Sequence, residues 1–424
     1  MVAALFITLV VALIIGIPVG FAIGISCLVY SYMSGNLILT IIPQRMVEGI
    51  NSFPWLALPL FVIAGEIMAY GSTPRLMRLA NMLVGKIPGG LGASAVVATA
   101  FFSAVSGSGV ATTAAIGGIM APEMVKKGYS KGFTASLLAC GTLGIVIPPS
   151  ISMVVYGMCS GVSVGKMFLG GFIPGIITAL FLVILCIIVG KKRGYVGDIG
   201  NLTAAEKVKI IKDALFPLAM PIFILGSVMS GAVTPTESAA IACVYAFFLA
   251  KFVYKELKMK DVYDICSRSL ITSAVILFIV ANASPFSWIL ATQNIPQLIA
   301  SQLLSITQNP LLMMILITIL FLFLGTFMET NSTIVLLTPI LLPVITKLGI
   351  DPIYFGVTMI LNLAIGGVTP PLSVCLFTSS RIVGIKIEDT FPDVIYVVGT
   401  MVLALFVCVL FPKTVLLLPQ ILGK

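Results

Sequence analysis

The sequence predicts an all-α polytopic membrane protein built from two inverted-topology repeats, each holding a re-entrant helical hairpin and a discontinuous helix. Three observations carry that expectation: a composition unsuited to water, basic residues that sort to one face, and a pattern of Gly and Pro that recurs 222 residues later. Of the 424 residues, 59% are hydrophobic and 9% charged, and the mean hydropathy is +1.18. A soluble domain carries about 25% charged residues. Apolar runs recur along the whole chain, and only 191–213 is polar enough to be a soluble piece, so one membrane domain is expected.

The first apolar run, 2–33, is too long for one straight span and short for two. With Gly16-Ile-Pro-Val-Gly20 inside it, one long, tilted or kinked helix is expected, and Gly16, Gly20 and Gly24 give it a close-packing face. The first positive charge is Arg45 and no small-residue cleavage site follows the run, so this segment is expected to stay in the mature protein. Full spans, which need about 20 apolar residues, are expected over 54–70, 171–190, 214–230, 238–254, 270–292 and 391–411. After the first of these, Arg75, Arg78 and Lys86 alternate with Leu76, Met77, Leu79 and Met82, the pattern of an amphipathic helix lying along the interface. The regions 91–161 and 310–383 are equally apolar but are broken by Gly, Pro, Ser and Thr clusters that ordinary spans lack. Eight cysteines without a CxxC pair, and no histidine, argue against a disulfide framework.

If each interrupted region is a hairpin entering and leaving on one side, followed by one crossing helix broken in its middle, the charges sort themselves. Nineteen of the 24 basic residues then share one face, and only Arg45, Lys166, Lys347, Lys413 and Lys424 lie on the other. The positive-inside rule makes the rich face cytoplasmic. Trp55 and Trp288 fall near outer ends of spans, where interfacial aromatics belong. The expected topology has the N-terminus cytoplasmic and the C-terminus outside, with the first hairpin opening inward and the second outward. The net charge of +9 thus reads as an orientation signal and not as affinity for nucleic acid.

The repeat is visible in the punctuation: Gly144, Pro148 and Pro149 fall on Gly366, Pro370 and Pro371, and Phe133 falls on Phe355. Inverted repeats with discontinuous helices mark secondary transporters, whose substrate and ions bind near the midplane at the breaks. The cause is backbone chemistry. In hydrocarbon every N–H and C=O must be satisfied, so irregular backbone survives only where it is buried or lines a polar cavity. Half-helix N-termini suit an anion, and exposed carbonyls suit a hard cation. The first tip, Ser103-Ala-Val-Ser106-Gly-Ser108-Gly, and the second, Gly325-Thr-Phe-Met-Glu329-Thr330-Asn331-Ser332-Thr333, are therefore candidate ion and substrate segments; close packing of small residues is the plainer reading of the first. The breaks, Gly141-Thr-Leu-Gly144-Ile-Val-Ile-Pro148-Pro149-Ser150 and Gly366-Gly-Val-Thr369-Pro370-Pro371, free upstream carbonyls because proline removes a donor. Ser108, Ser150, Asn331, Ser332 and Thr369 are expected to meet the substrate.

Glu66 lies about 18 Å into an apolar span, where an ionisable group is costly; it is either functional or paired to order the scaffold. Glu237, in Thr234-Pro-Thr236-Glu237, reads as the first turn of a capped helix. Without histidine neither His-Glu-x-x-His nor a serine nucleophile with a histidine base is available, and the seven aspartates fall in loops or near interfaces, so the chain is not expected to be an intramembrane enzyme. No GxxxxGK[ST] phosphate loop is present for primary pumping. An anion channel or uncoupled transporter of the same architecture is the alternative; dependence on a second ion separates them.

Ser106-Gly-Ser108-Gly-Val-Ala, Ile147-Pro-Pro-Ser150, Tyr156-Gly, Ser163-Val-Gly, Pro235-Thr-Glu237-Ser-Ala-Ala and Gly367-Val-Thr-Pro-Pro371 together resemble the large membrane subunit, of the DctM or SiaM type, of tripartite ATP-independent periplasmic (TRAP) transporters, over nearly the whole chain. The resemblance implies a sodium-coupled importer of an organic anion in the bacterial inner membrane, working by an elevator movement of a transport domain against a scaffold. It implies a small four-helix membrane subunit and a periplasmic substrate-binding protein as partners. Carried over by position, Ser103, Ser106, Ser108, Gly141, Gly144 and Pro149 serve one sodium site, and Gly325, Glu329, Gly366, Thr369 and Pro370 the other. Thr112 stands where many members have an aspartate. The likeness is nearer the sialate branch, so sialic acid is the first expectation and a C4-dicarboxylate the second. The resulting division is 1–90 scaffold and amphipathic arm, 91–165 first half of the transport domain, 166–309 scaffold and cytoplasmic arm, 310–388 second half of the transport domain, and 389–424 a C-terminal span.

Overall fold

In a computed structural model, described over residues 2–34, 38–197 and 202–423, the chain is helical throughout and shows no strand among the described residues. Lys424, which entered the charge reading, and Asp198, one of the seven aspartates, lie outside those residues. The chain opens with α1 (Val2–Ile14), α2 (Val19–Met33) and the amphipathic α3 (Ile38–Ile50). Helix α4 (Ala57–Val84) contains the first expected span, then bends at Tyr70 and Gly71 (φ +82°) into the Arg75–Arg78 arm. The first hairpin is α5 (Gly90–Ser106) and α6 (Gly109–Lys126); α7 (Lys131–Leu138), a 3-10 turn over Ala139–Ile145 and α8 (Ile151–Ser160) form the first broken helix. Long helices follow: α9 (Val164–Arg193), α10 (Ala204–Met229), α11 (Pro235–Phe248) and α12 (Met259–Thr292). The outer arm α13 (Ile295–Ile306) meets α14 (Pro310–Gly325) at 115°, and α15 (Thr330–Lys347) completes the second hairpin. The second broken helix is α16 (Pro352–Gly366) with α17 (Val374–Val383), and α18 (Asp393–Leu410) and α19 (Lys413–Leu422) end the chain.

Among the described residues, six helices are long and apolar enough to cross a membrane: Phe53–Val84, Val164–Arg193, Pro235–Val253, Met259–Thr292, Thr330–Lys347 and Asp393–Leu410. Five coincide with expected spans, while the expected span over 214–230 falls in α10, which is not among the six. The sixth is α15, the limb of the second hairpin, which packs beside α14. Helix starts are set by side chains that satisfy the otherwise orphaned first-turn N–H groups. Ser130, Ser150 and Ser163 accept from Phe133, Met153 and Lys166, and Thr203 with Glu206 and Thr234 with Glu237 build full capping boxes.

The sequence reading needs two corrections at the N-terminus. Residues 2–33 form two short helices folded against each other, because the chain reverses at Gly16 (φ +87°) and Pro18. Phe6 meets Phe286 edge-on at 6.2 Å, while a Cβ on Gly20 or Gly24 would press on Phe278 or Asn282. Thus α2 runs parallel to α12 and α1 runs back, so Val2 sits at the Thr292 end of α12 and not at the opposite end, as a single crossing helix requires. Gly16 makes the turn and has nothing within 4 Å of its Cβ position; only Gly20 and Gly24 form the close-packing face.

The 222-residue shift relates whole elements. It brings α5 onto α14, α6 onto α15, α7 with its 3-10 turn onto α16, α8 onto α17 and α9 onto α18, and it superposes the cis peptides Pro148-Pro149 and Pro370-Pro371. The bend at Gly71 falls where α12 ends before α13. The repeats interlock through Tyr156, whose ring centroid lies 6.3 Å from that of Phe355 and whose hydroxyl donates to Pro352 O at 2.7 Å. Gly356 makes room for that ring, since a Cβ there would sit 2.2 Å from it. At the charge-rich end, Arg193 pairs with Asp393 and joins α9 to α18, and Tyr195 stacks on Tyr129 at 4.0 Å.

Candidate transport site

The two hairpin tips and the two breaks meet around a cavity of about 1470 Å³, walled on the other side by α4 and α12. On the first tip, Gly107 (φ +64°) closes α5 and its carbonyl accepts from Ile151 N at 3.3 Å, which fastens the tip to the start of α8. Ser108 caps α6, and its carbonyl together with Thr112 crowds Gly144, where a Cβ would lie 2.5 Å from Ser108 O. Ser106 Oγ and Thr112 Oγ1 are 2.6 Å apart, a hydroxyl pair that ties the tip to the first turn of α6. Gly141 lets the break approach Thr113, whose N would be 2.6 Å from a Cβ.

On the second tip, Glu329 caps α15. Its Oε2 accepts from Ser332 N at 2.8 Å and Ser332 Oγ at 3.1 Å, and its Oε1 accepts from Asn331 Nδ2 at 3.0 Å. Ser152 Oγ of α8 donates to Asn331 Oδ1 at 2.9 Å, a bond from one repeat to the other. Gly325 and Gly366 touch through their backbones, and a Cβ on Gly366 would lie 2.3 Å from Gly325 O.

Of the residues expected to meet substrate, Ser108, Asn331 and Ser332 border the cavity. Ser150 and Thr369 do not. Ser150 caps α8 and donates to Ile145 O at 2.6 Å, while Thr369 Oγ1 donates to Ile365 O at 2.8 Å. Of the residues expected around sodium, Ser106, Gly325, Glu329 and Gly366 border the cavity, whereas Ser103, Gly141, Gly144, Pro149 and Pro370 do not line it. Ser103 Oγ and Thr142 Oγ1 are buried hydroxyl oxygens with no hydrogen-bond partner, as is Ser373 Oγ beyond the second break, where the backbone is at φ +24°. Orphaned buried oxygens are costly, and a hard cation takes ligands of that kind. Among the described residues no three His, Cys, Asp or Glu side chains converge, so the donors at hand are hydroxyls, carbonyls and Glu329, a set that fits sodium.

Sequence reasoning missed Ser152, Ser373 and Arg268 and held Thr142 only as part of the first break; all four lie on the cavity wall. Arg268 had entered only the charge count, yet its guanidinium lies 3.6 Å from the Glu66 carboxylate, which therefore faces a cation. Nothing in the local sequence announces the pair, because α4 and α12 are distant along the chain. Ser152 carried a signal that was misassigned to its neighbour. The hydroxyl directly after Pro-Pro caps the new helix, and the one two residues later faces the cavity.

Residues 6–414 match the family described as "Tripartite ATP-independent periplasmic transporter, DctM component". The chain is 37% identical to the sialic acid TRAP transporter large permease protein SiaM of Vibrio cholerae, covering 89% of each chain. It is also 37% identical to the C4-dicarboxylate TRAP transporter large permease protein DctM of Pseudomonas aeruginosa, again over 89% of each. Identity is 38% to the isethionate TRAP transporter permease protein DctMQ of Oleidesulfovibrio alaskensis, where the match takes in 92% of this chain but spans only 62% of that protein. Among solved structures, the YdaH transporter of Alcanivorax borkumensis shares the fold with a TM-score of 0.57 at 14% identity, covering 87% of this chain and 88% of that one.

Proposed function

Because the chain belongs to the DctM-component family of TRAP transporters, and is therefore a multi-pass permease subunit and not an enzyme, we propose that it carries an organic acid anion across the bacterial inner membrane in symport with sodium. A periplasmic binding protein delivers the anion, and a small four-helix membrane subunit completes the permease. The observation that carries this reading is the meeting of two repeat-related tips and breaks at one cavity, with orphaned hydroxyl oxygens behind the first tip and a single tip carboxylate, Glu329, on the second. Sodium held there offsets the tip carboxylate, so the anion binds well only after the ion, which gives coupling a physical cause.

The hairpins and broken helices form the moving transport domain, and α4, α10, α11 and α12 belong to the scaffold, in an elevator cycle. The relatives' names include sialic acid, C4-dicarboxylate and isethionate at near-equal identity, so the substrate class is an organic oxyanion; sialic acid remains the first candidate to test and a C4-dicarboxylate the second. The charge-rich face is cytoplasmic, which puts Leu422 on the periplasmic side. Reconstitution with both partners tests the proposal: labelled acid should accumulate only under an inward sodium gradient. Equal uptake without sodium makes the protein a channel or an uncoupled carrier.

A further inference from the structure

Three charged side chains border the cavity: Glu329 on the outer tip, Glu66 on α4 and Arg268 on α12. Arg268 is the sole cation among the described lining residues, on the wall that faces both tips. Its Nη2 lies 3.6 Å from Glu66 Oε2, with the two side chains 61% and 31% exposed. That separation is longer than a hydrogen bond. A half-exposed pair of this kind is weakly held, and the planar fork of the guanidinium, with five N–H donors, stays open for an oxyanion to engage bidentately.

The repeat provides a comparison inside the same chain. The 222-residue shift brings Trp288 onto Glu66 and Met46 onto Arg268, and there Arg45, one residue away, lies over the Trp288 ring at 5.8 Å while pairing with Glu48 at 3.2 Å. That arginine is satisfied by a ring and a neighbour on its own helix, and it borders no part of the cavity. At the other end the ring is replaced by a carboxylate and the arginine faces the cavity. Glu66 is the charged group beside Arg268 there, and it holds the arginine between substrates.

We infer that Arg268 is a binding site for the oxyanion head of the substrate on the scaffold wall, and that Glu66 is its resident counterion, displaced when the anion leaves the hairpin tips and restored when it departs. The inference rests on the reading that an organic anion occupies this cavity. The exchange needs no proton or covalent step: one oxyanion replaces another at the guanidinium.

Titration of the purified chain, in buffer containing saturating sodium, with N-acetylneuraminate, succinate and isethionate by calorimetry tests it, together with turnover of the complete reconstituted transporter. Arg268→Gln should weaken binding of the acid the wild type prefers by about tenfold or more, and Arg268→Lys, which keeps the charge but not the fork, should fall between. Glu66→Gln should do the opposite, tightening binding several-fold while lowering turnover, because the counterion that drives release is gone. The double variant should behave like Arg268→Gln. A merely structural pair predicts instead that each single change lowers thermal stability, that the double change restores it, and that affinity is unmoved; that result overturns the inference. Equal binding by the wild type and Arg268→Gln overturns the Arg268 site alone, whereas no binding of any acid to the wild type overturns the organic-anion reading and this inference with it.

Discussion

Replacing Glu329 by Gln removes one charge and almost no volume at the outer tip. The carboxylate accepts three hydrogen bonds, two at Oε2 from Ser332 and one at Oε1 from Asn331 Nδ2. A glutamine keeps an oxygen for Ser332 but turns an NH2 toward the Asn331 amide, which must then lose its acceptor or flip and give up the bond from Ser152 Oγ. Loss of the charged cap costs about 1 kcal/mol and the broken hydrogen bond about 1 kcal/mol more, a local cost that leaves the fold intact. For a sodium ion about 5 Å away, the lost attraction is roughly 0.8 kcal/mol at a dielectric of ~80 and ~3.3 kcal/mol at ~20. Glu329 is exposed to the cavity, so the weaker end applies, and the sodium concentration for half-maximal uptake should rise several-fold. The assay is uptake by the reconstituted transporter over a series of external sodium concentrations, with Glu237→Gln as comparator. Glu237 accepts only from Thr234, at 2.7 and 2.9 Å in an exposed capping box, and its loss should leave sodium dependence unchanged. Identical sodium curves for Glu329→Gln and the wild type would refute the assignment of the outer hairpin to ion binding.

Gly366→Ala forces a Cβ to 2.3 Å from the Gly325 carbonyl oxygen, and such overpacking against backbone should cost about 1–3 kcal/mol or more, read as a lower Tm. Gly118→Ala, with nothing within 4 Å, should be neutral or slightly stabilising. Ser152→Ala removes the bond between the repeats and leaves Asn331 Oδ1 without that donor; uptake should fall while thermal stability drops by about 1 kcal/mol. Single cysteines at Lys192 and Gln297 should react with impermeant reagents from opposite faces, and one at Val2 should follow Gln297; labelling of 192 and 297 from one side would break the inverted topology. The purified chain without its partners should show no sodium-driven uptake, and robust uptake by it alone would remove the need for a tripartite system.

The hairpins and broken helices could be read from the chain because their causes are local. Pro148-Pro149 and Pro370-Pro371 end helices wherever they stand, and the hydroxyls around Ser106 and Ser332 mark backbone that hydrocarbon cannot accommodate. The first 33 residues were harder, since Gly16-Ile-Pro18 is compatible with a kink or a reversal and only the left-handed backbone at Gly16 decides between them. At the site, residue type was informative and facing was not. Ser150 and Ser152 offer the same hydroxyl, yet one is spent on the helix cap and the other reaches Asn331. The pairing of Glu66 with Arg268 depends on how α4 and α12 lie together, which no periodicity in either segment encodes.

The cavity borders only one end of the scaffold: Val62, Gly65, Glu66 and Ala69 on α4, and Arg268, Ile271, Thr272 and Val275 on α12. Their partners under the 222-residue shift are Ser284, Ser287, Trp288 and Ala291, and Met46, Gly49, Ile50 and Phe53, none of which borders it. Each half of the chain is thus a template for the posture of the other, and exchanging the two postures sketches the opposite-facing state of the proposed cycle. In that reciprocal shape the vestibule is lined by a tryptophan and small hydroxyls where the present one has a carboxylate and a guanidinium. On the outer side an anion should therefore meet Trp288 with Arg45 held over its ring, and on the inner side the Glu66–Arg268 pair, so the two vestibules present charge differently while the gradients set the direction of travel.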